Sequence, residues 1–320
     1  MPESTGLIDV HHHAIPPGYA AALGDSVAIP GVDYPTWTPQ DSLELMDRNG
    51  IAAAVLSITA PGVGFLPAAP ARQLARGVNE YFADLVRTHP RRFGGFAVLP
   101  LPDVAAAKDE IGYALDELGL DGVGLLTSYQ GRYLGDPEFE PVLAELAERG
   151  TPIHVHPTTP PAKDLATFGL PPSLYEFTFE TTRTVVSLLF AGVLDRIPGL
   201  KLVFSHAGGT LPMLAKRLTY GPTIGSYLRD RPPADVLASL RRLHYDIAMS
   251  ANEFALPPLT ALADPGRILF GSDFPFMPDW HTAETVEGFE RFPGWTDEQR
   301  RAIGRENALR LLPRLAARLA

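Results

Sequence analysis

The sequence predicts an α/β protein, a (β/α)8 barrel of the TIM type, in which eight parallel strands alternate with helices within a single domain of residues 1–320. Three observations indicate this fold class. Short apolar runs rich in Val, Ile, Leu and Phe recur along the chain, and each run is followed by turn residues and then a helical pattern. No break in composition divides the chain, which favours one domain.

The sequence pattern predicts the position of each helix and strand of the barrel. The helical segments are expected near residues 40–49, 71–88, 103–118, 137–149, 177–196, 210–219, 252–263 and 297–319. Thr38, Asp103 and Thr296 are candidate N-caps, because their side-chain oxygens can accept hydrogen bonds from the first free amides of a helix. The predicted strands are Leu7–His11, Ala52–Ile58, Phe93–Leu99, Gly122–Leu126, Ile153–His156, Leu200–Ser205, Leu243–Ile247 and Arg267–Gly271.

A doubly wound parallel sheet is the competing architecture. It would need a glycine-rich phosphate loop after the first strand, whereas the chain continues there as His-His-His-Ala-Ile-Pro-Pro. The 32 prolines cluster in the segments after strands rather than in one linker. Both features favour the barrel.

Composition excludes several classes of function. The chain has 27 Lys and Arg against 37 Asp and Glu, a net charge of −10, so it lacks a basic surface for nucleic acid. The first residues lack the pattern of a signal peptide, and no run approaches the roughly 18 apolar residues that span a bilayer. We therefore expect a cytoplasmic protein with no nucleic-acid or membrane partner. Because there is no cysteine, histidine and carboxylate must hold any transition metal.

The active site of a barrel lies at the carboxyl ends of its strands, so polar residues at those ends are the candidates. Four predicted strands end in such residues. The first strand ends in a run of three histidines, the fifth in two, the sixth in one and the eighth in an aspartate. They are His11, His12, His13, His154, His156, His206 and Asp273.

The histidine run continues an apolar strand. Because side chains alternate along a strand, His11 and His13 share one face and His12 points to the other. Asp9 has the parity of the pair, so their common face is expected to be the barrel interior. Two imidazoles at this spacing can chelate one ion, and His12 lies outside the site. The alternative is a tag remnant or a solvated run, but a tag usually carries about six histidines and precedes the fold.

The other strand ends extend this site. His156 lies nearer the mouth and is the better ligand, whereas His154 is deeper and is expected to be a hydrogen-bonded core or orienting residue. His206 is a ligand, an acid–base group or a core histidine, and the Gly-Gly that follows it favours access. An acid such as Asp273 at the end of an apolar strand is costly unless a cation compensates.

A metal centre accounts for this set. His11, His13, His156 and Asp273 supply three nitrogens and one oxygen, which suits Zn²⁺ or another divalent ion such as Mn²⁺. One ion per chain is expected. A bridged pair in such barrels needs another anion, often a carboxylated lysine ending strand four, and Gly122–Ser128 contains no Lys or Glu.

The strand-end motifs resemble a known family. Asp-Val-His-x-His, His-Pro, Ser-His-Ala-Gly-Gly and Gly-Ser-Asp-Phe-Pro occur in the order of the amidohydrolase superfamily, in the branch of aminocarboxymuconate-semialdehyde decarboxylase, over essentially the whole chain. The resemblance implies that His11, His13, His156 and Asp273 bind the metal and that His206 is catalytic. Further segments resemble decarboxylases of ortho-hydroxybenzoates such as 6-methylsalicylate. These segments are Trp37–Pro39, Met46–Ile51, Leu56–Gly62 and Glu176–Arg183.

Two positions depart from the family pattern. The semialdehyde decarboxylase has a substrate-binding arginine where this chain has Ser42, and resorcylate-type members have a glutamate where it has Gly209. The segments after the strands are rich in aromatic residues and poor in cations, with candidates such as Arg132 and Lys163. The aromatic candidates, of which two or three are expected to touch substrate, are Tyr19, Trp37, Phe65, Tyr175, Phe177, Phe276 and Trp280.

These features predict a metal-dependent, non-oxidative decarboxylase of a small aromatic carboxylate. His206 or Asp273 would protonate the ring carbon that bears the carboxylate. The alternatives are a metal-dependent hydrolase of a lactone, ester or amide, which would use the same residues, and a metal-binding scaffold without catalysis. The resemblance also implies a homodimer, in which Arg229 and Arg231 of the Thr219–Arg242 insertion are candidates for reaching a neighbour's site.

Overall fold

Eight parallel strands form the central sheet and follow one another around it in chain order. The structure, a computed structural model, describes residues 6–24, 34–161, 166, 168–228 and 236–320. The eight strands coincide with the predicted apolar runs, so the predicted (β/α)8 barrel is confirmed, while the single domain of residues 1–320 stays a prediction. The strands are β1 (Leu7–His13), β2 (Ile51–Ser57), β3 (Phe93–Val98), β4 (Gly122–Leu126), β5 (Pro152–His156), β6 (Lys201–Phe204), β7 (His244–Asp246) and β8 (Ile268–Leu269).

Helices cover the outside of the sheet. Within the described ranges none is long and apolar enough to cross a membrane. Short π-helical turns follow α4 and α13, and a two-stranded hairpin, Ser128–Tyr129 with Arg132–Tyr133, follows β4. The helices are α1 (Pro17–Leu23), α2 (Pro39–Arg48), α3 (Ala68–Thr88), α4 (Val104–Gly112), α5 (Glu140–Glu148), α6 (Pro172–Phe190), α7 (Val193–Arg196), α8 (Leu211–Leu218), α9 (Gly221–Ile224), α10 (Val236–Arg241), α11 (Leu256–Leu262), α12 (Asp279–Arg291), α13 (Asp297–Arg301), α14 (Asn307–Leu311) and α15 (Pro313–Leu319).

Each predicted helical segment contains a helix, and each predicted N-cap is confirmed. The cap side chains accept hydrogen bonds from the backbone amides of the third residues of their helices. The pairs are Thr38 with Asp41, Asp103 with Ala106, and Thr296 with Gln299. The segment predicted as one helix over 177–196 begins earlier and is divided into α6 and α7 by Gly192, whose φ of 75° ends the first helix.

Four helices, α1, α9, α10 and α12, have no counterpart in the sequence prediction. The longest of them, α12, buries only a narrow face, formed by Thr282, Thr285 and Phe289. Two of these three side chains are polar, so the helix lacks the apolar periodicity by which a surface helix is recognised. It also contains Gly288, where an added Cβ would lie 1.9 Å from the carbonyl oxygen of Ala251. Close packing therefore requires a residue that weakens the sequence signal for a helix.

Apolar side chains fill the lower part of the barrel. Ile8, Val10, Val55 and Phe96 are buried in one cluster with residues of the last two helices, which close the barrel from below. Those closing residues are Ala308, Leu311, Leu312 and Leu315. Above this apolar layer lie buried ionisable side chains of β1, β5 and β7, among them His11, His154 and Asp246.

The barrel closes where the segment after β8 meets β1. The backbone N–H of Asp273 donates to the carbonyl of His11 over 2.9 Å, and that of His13 donates to the carbonyl of Phe274 over 2.7 Å. We call this contact the closing seam. It places the segment that carries Asp273 directly beside the histidines of β1.

Strand β1 contains a bulge. The register pairs Asp9 with Ala54 and His12 with Leu56, so two residues of β1 between these pairs lie opposite one residue of β2. An extra residue of this kind interrupts the alternation of side chains between the two faces of a strand.

The bulge decides which side chains share a face. Asp9 and His12 hydrogen-bond to each other, with 2.9 Å between Oδ2 and Nδ1, and His12 reaches outward to Ser42 of α2. His11 and His13 lie together in the interior, with ring centroids 4.9 Å apart. The prediction that His12 points away from this pair is confirmed. The prediction that Asp9 shares the face of the pair is wrong, because it assumed unbroken alternation.

Candidate metal centre

Four of the predicted site residues meet at the carboxyl ends of the strands. His11 and His13 come from β1, His156 is the last residue of β5, and Asp273 follows β8. One ligand atom from each lies within 4.8 Å of the others, and all four side chains are buried. The fold therefore brings together the four residues that were predicted from the sequence to form a metal site.

Hydrogen bonds at Nδ1 orient the three imidazoles. Nδ1 of His11 lies 3.0 Å from the carboxylate of Asp246, and Nδ1 of His156 lies 2.7 Å from the carbonyl oxygen of Pro157. Both of those oxygens can only accept, so each Nδ1 carries a proton. Nδ1 of His13 lies 3.0 Å from Oγ of Ser57. In His11 and His13 Nε2 is left for the centre, which is how metal-binding histidines are commonly fixed. In His156 the hydroxyl of Thr59 lies 3.4 Å from Nε2.

The inward atoms are too close to remain without a positive charge. Nε2 of His11 and Nε2 of His13 lie 3.1 Å apart, and Oδ1 of Asp273 lies 3.1 Å from each. The Ser57 hydroxyl donates to the carbonyl oxygen of His12 over 3.4 Å, so its oxygen can accept from Nδ1–H of His13. With Nδ1 protonated on His11 and His13, neutral imidazoles would direct two lone pairs and a carboxylate oxygen at one point. A cation at that point removes the repulsion, so the donor set fits a divalent ion.

The electrostatics of the metal-free cluster agree with this argument. Burial lowers the pKa of His13 to about 4 and that of His156 well below its ordinary value. Burial also opposes the charge on His11, but the carboxylates of Asp246 and Asp273 outweigh it and raise the pKa of His11 to about 10. Burial likewise opposes the ionisation of Asp273, yet His11 holds the pKa of that carboxyl well below its usual range. Without metal, a proton on His11 supplies the positive charge.

Asp246 is a site residue that the sequence reasoning missed. Its buried carboxylate on β7 lies 3.0 Å from both Nδ1 of His11 and Nε2 of His154, and it accepts the backbone amides of His206 and Ala248 over 3.1 Å. Asp246 thus orients a candidate ligand and anchors the backbone of the candidate catalytic residue. The sequence does contain a signal for Asp246, because it is an acidic residue within the predicted strand Leu243–Ile247.

His154 lies one layer below the cluster, as expected for the deeper of the two histidines on β5. Besides its bond to Asp246 it stacks on Phe96, with ring planes 2° apart and centroids 5.6 Å apart. It therefore supports the floor of the site, and it belongs with His11 and Asp246 to a second close group of donors.

His206 faces the cluster from the end of β6. Its Nε2 lies 3.4 Å from Oδ2 of Asp273, whereas its buried Nδ1 has no hydrogen-bond partner among the residues described. His206 and Asp273 both have left-handed backbone, with φ of 53° and 63°. Such conformations are costly for residues other than glycine and occur often at functional sites. Gly209 is required here, because an added Cβ would lie 2.0 Å from the carbonyl oxygen of Thr178.

A cavity of about 390 Å³ opens above these residues. His156, His206 and Asp273 form its polar floor. Its described lining contains no Lys or Arg. The walls are apolar or carry hydroxyl groups, and they are formed by Thr59, Pro171, Ser173, Leu174, Phe177, Thr178, Met249, Ser250, Phe276 and Met277.

Two of the seven aromatic candidates, Phe177 and Phe276, line this cavity. Trp37 instead donates its indole N–H to Ser42 over 2.9 Å, and Tyr19 donates to the carbonyl of Gly62. Of the two cation candidates, Arg132 forms an ion pair with Glu138 on the hairpin after β4, and Lys163 lies outside the described residues.

We expect a divalent ion to stabilise the folded chain. Protein treated with a chelator and then titrated with Zn²⁺ should unfold at a higher temperature, because the cluster exists only in the folded state. At a free ion concentration 100 times Kd the gain is about 2.7 kcal/mol. Differential scanning calorimetry measures it, and Mg²⁺ is the control, since it prefers octahedral oxygen ligands. An unchanged Tm with Zn²⁺ would contradict the metal centre.

Comparisons with known proteins agree with this fold. A family model described as amidohydrolase matches residues 8–314. Decarboxylase yanB from Aspergillus niger is 39% identical over 96% of this chain and 87% of its own length. 6-Methylsalicylic acid decarboxylase acuB from Aspergillus aculeatus is 39% identical over 96% of both chains. The crystal structure of an amidohydrolase II is 31% identical, with a TM-score of 0.89 over 96% of this chain and 99% of that one.

Proposed function

Because the chain belongs to the amidohydrolase family, we propose that its metal centre and cavity together decarboxylate an ortho-hydroxybenzoate without an oxidant. The chain is a carboxy-lyase of aromatic acids, in the branch of the decarboxylases to which it is similar. One observation carries the proposal. A mostly apolar cavity ends on a buried group of donors that could hold a metal ion, and His206 faces that group at 3.4 Å from Asp273.

His11, His13, His156 and Asp273 would hold one divalent ion per chain, Zn²⁺ in the first instance and Mn²⁺ as the alternative. When bound, the ion would act as a Lewis acid toward the phenolate and one carboxylate oxygen of the substrate. Three imidazoles, each fixed by a hydrogen bond at Nδ1, and one carboxylate are the donors that such an ion needs.

The protein's own groups then handle the ring and the proton. Phe177 and Phe276 stand on the cavity walls and can hold a flat ring with its carboxylate toward the floor. His206 or Asp273 gives a proton to the ring carbon that bears the carboxylate, and their 3.4 Å separation lets a proton pass between them. The bond from that carbon to the carboxylate then breaks, its electron pair returns to the ring, and CO₂ leaves.

The two departures from the family pattern bear on the substrate. Ser42 is fully buried and bonded to His12 outside the barrel, so it does not face the cavity. Gly209 has no room for a side chain beside Thr178. The cavity therefore lacks both the arginine of one relative and the glutamate of the other. Apolar walls favour a ring with an alkyl substituent, and 6-methylsalicylate is the substrate that we propose.

The decisive experiment separates this proposal from hydrolysis of a lactone, ester or amide. Metal-analysed enzyme is incubated with 6-methylsalicylate, 2,6-dihydroxybenzoate and a lactone panel, and CO₂ is measured against acid release. In D₂O we expect CO₂ from 6-methylsalicylate and one deuterium on the vacated ring carbon, because the proton there comes from exchangeable groups. Acid from a lactone with no CO₂ from any hydroxybenzoate would favour the hydrolase.

We infer in addition a cytoplasmic homodimer. Large apolar side chains are exposed on and near α6, α8 and α9, which suits a protein interface. Examples are Leu174, Phe179, Met213 and Ile224. Arg229 and Arg231, predicted to reach a neighbour's site, lie outside the described residues.

A further inference from the structure

A buried carboxylate joins the two sides of the closing seam. Asp9 is fully buried, and its Oδ1 accepts the backbone N–H groups of His11 over 3.1 Å and Ser272 over 3.0 Å. Its Oδ2 accepts the hydroxyl of Ser272 over 2.6 Å and Nδ1–H of His12 over 2.9 Å. Each donor is next to, or part of, a residue proposed to bind metal.

The bulge in β1 explains why a carboxylate is needed there. It takes His11 out of the regular pairing with β2, and Ser272 lies beyond the end of β8. Buried amides at such positions need acceptors from outside the ladder. One carboxylate that accepts from both amides ties the backbone of β1 to the backbone that precedes Asp273.

We propose that Asp9 is a positioning residue that sets the distance between the β1 ligands and Asp273, and thereby the affinity of the metal centre. The inference rests on the metal site proposed above. Asp273 reaches Nε2 of both His11 and His13 at 3.1 Å across the seam, so a small opening of the seam would separate its oxygen from both rings together.

A second set of contacts holds Asp9 in place. Nε2 of His12 lies 2.8 Å from Oγ of Ser42, which also accepts the indole N–H of Trp37 over 2.9 Å. Asp9, His12 and Ser42 thus repeat the hydrogen-bond order of a serine hydrolase triad. All three residues are fully buried, so no substrate reaches Ser42. These hydrogen bonds therefore hold the carboxylate of Asp9 in its orientation.

The chain offers a matched control at the other end of the barrel. The buried carboxylate of Asp121, just before β4, accepts the backbone N–H of Gly95 over 3.0 Å and pairs with Arg318 over 2.8 Å. Asp121 also joins separate elements through a backbone amide. It lies at the amino-terminal end of the strands, away from the metal centre, so its loss tests general destabilisation.

The experiment compares Asp9→Asn with Asp121→Asn by chelator competition for Zn²⁺ and by thermal unfolding of the metal-free proteins. We expect both variants to unfold at lower temperature. Only Asp9→Asn should bind Zn²⁺ more weakly, by about 10- to 100-fold, as is usual when a group that orients metal ligands is lost. Should Asp9→Asn not fold, Ser272→Ala removes the 2.6 Å contact with Asp9 and the 3.2 Å bond that the same hydroxyl accepts from the backbone N–H of Phe274, and it leaves the carboxylate in place. It should weaken binding in the same direction.

The outcomes separate the two proposals. A parent protein that binds no Zn²⁺ would contradict the metal site itself. A parent that binds Zn²⁺, with Asp9→Asn (or Ser272→Ala, if the former does not fold) binding as tightly, would overturn only the role of Asp9. Equal weakening in Asp9→Asn and Asp121→Asn would also overturn it, because the effect would then follow from lower stability.

Discussion

Replacement of His206 by Asn should leave the metal in place and abolish most turnover. Asn keeps a polar atom near the position of Nδ1 and removes Nε2, the atom that lies 3.4 Å from Asp273. If His206 supplies or relays the proton, kcat should fall about 10²- to 10⁴-fold, the usual contribution of a positioned acid or base. Zinc content and kcat are measured on the same sample of the variant and the parent.

Two results would contradict this division of roles. A variant that loses its zinc along with its activity would make His206 a metal ligand. A variant that keeps both would leave Asp273 as the group that handles the proton. Phe254→Ala is a suitable control, since that side chain is 83% exposed and lies outside the cavity lining.

An Asn substitution should have opposite consequences at two neighbouring histidines. In His13→Asn the side chain can still bond to Ser57, as Nδ1 does over 3.0 Å, but the inward Nε2 is lost. We expect loss of the bound ion and, with it, of detectable decarboxylation. In His12→Asn the side chain can still donate to Asp9, and the atom removed points outward to Ser42. That variant should keep one ion per chain at saturating zinc.

Elemental analysis after equilibrium dialysis at saturating zinc, corrected for the free ion in the dialysate, provides the measurement, and circular dichroism checks that both variants fold. Equal loss of metal from the two variants would mean that the bulge in β1 does not divide these residues as described. Two tightly held ions in the parent would contradict the mononuclear site.

The strands could be predicted because a parallel strand in a barrel is buried on both faces, so each one is a continuous apolar run. Strand ends could be predicted to carry chemistry for the same reason, since a polar residue such as His156 or Asp273 interrupts such a run. Helix α12 could not be predicted, because its buried face contains Thr282 and Thr285 in place of large apolar residues. Polar helices of this kind have no distinctive period in the sequence.

The supporting residues of the site were harder to predict than its ligands. Asp246 bonds to His11 across a gap of 235 residues, and no local pattern relates the two. Regular alternation along β1 predicts the wrong face for Asp9. The bulge that changes its face depends on how two strands pair, which the sequence of a single strand does not show. The proposed metal ligands thus have a local signal in the sequence, whereas the groups that orient them depend on the fold.

The bulge also determines what portion of this chain could be transplanted into another barrel. A designer who copied only His11 and His13 onto a strand with regular alternation would reproduce their spacing. The residue two positions earlier would then point inward, and the amides at the seam would lose their carboxylate. The smallest portable unit is therefore residues 9–13 with the bulge, together with residues 271–274 of the opposing segment.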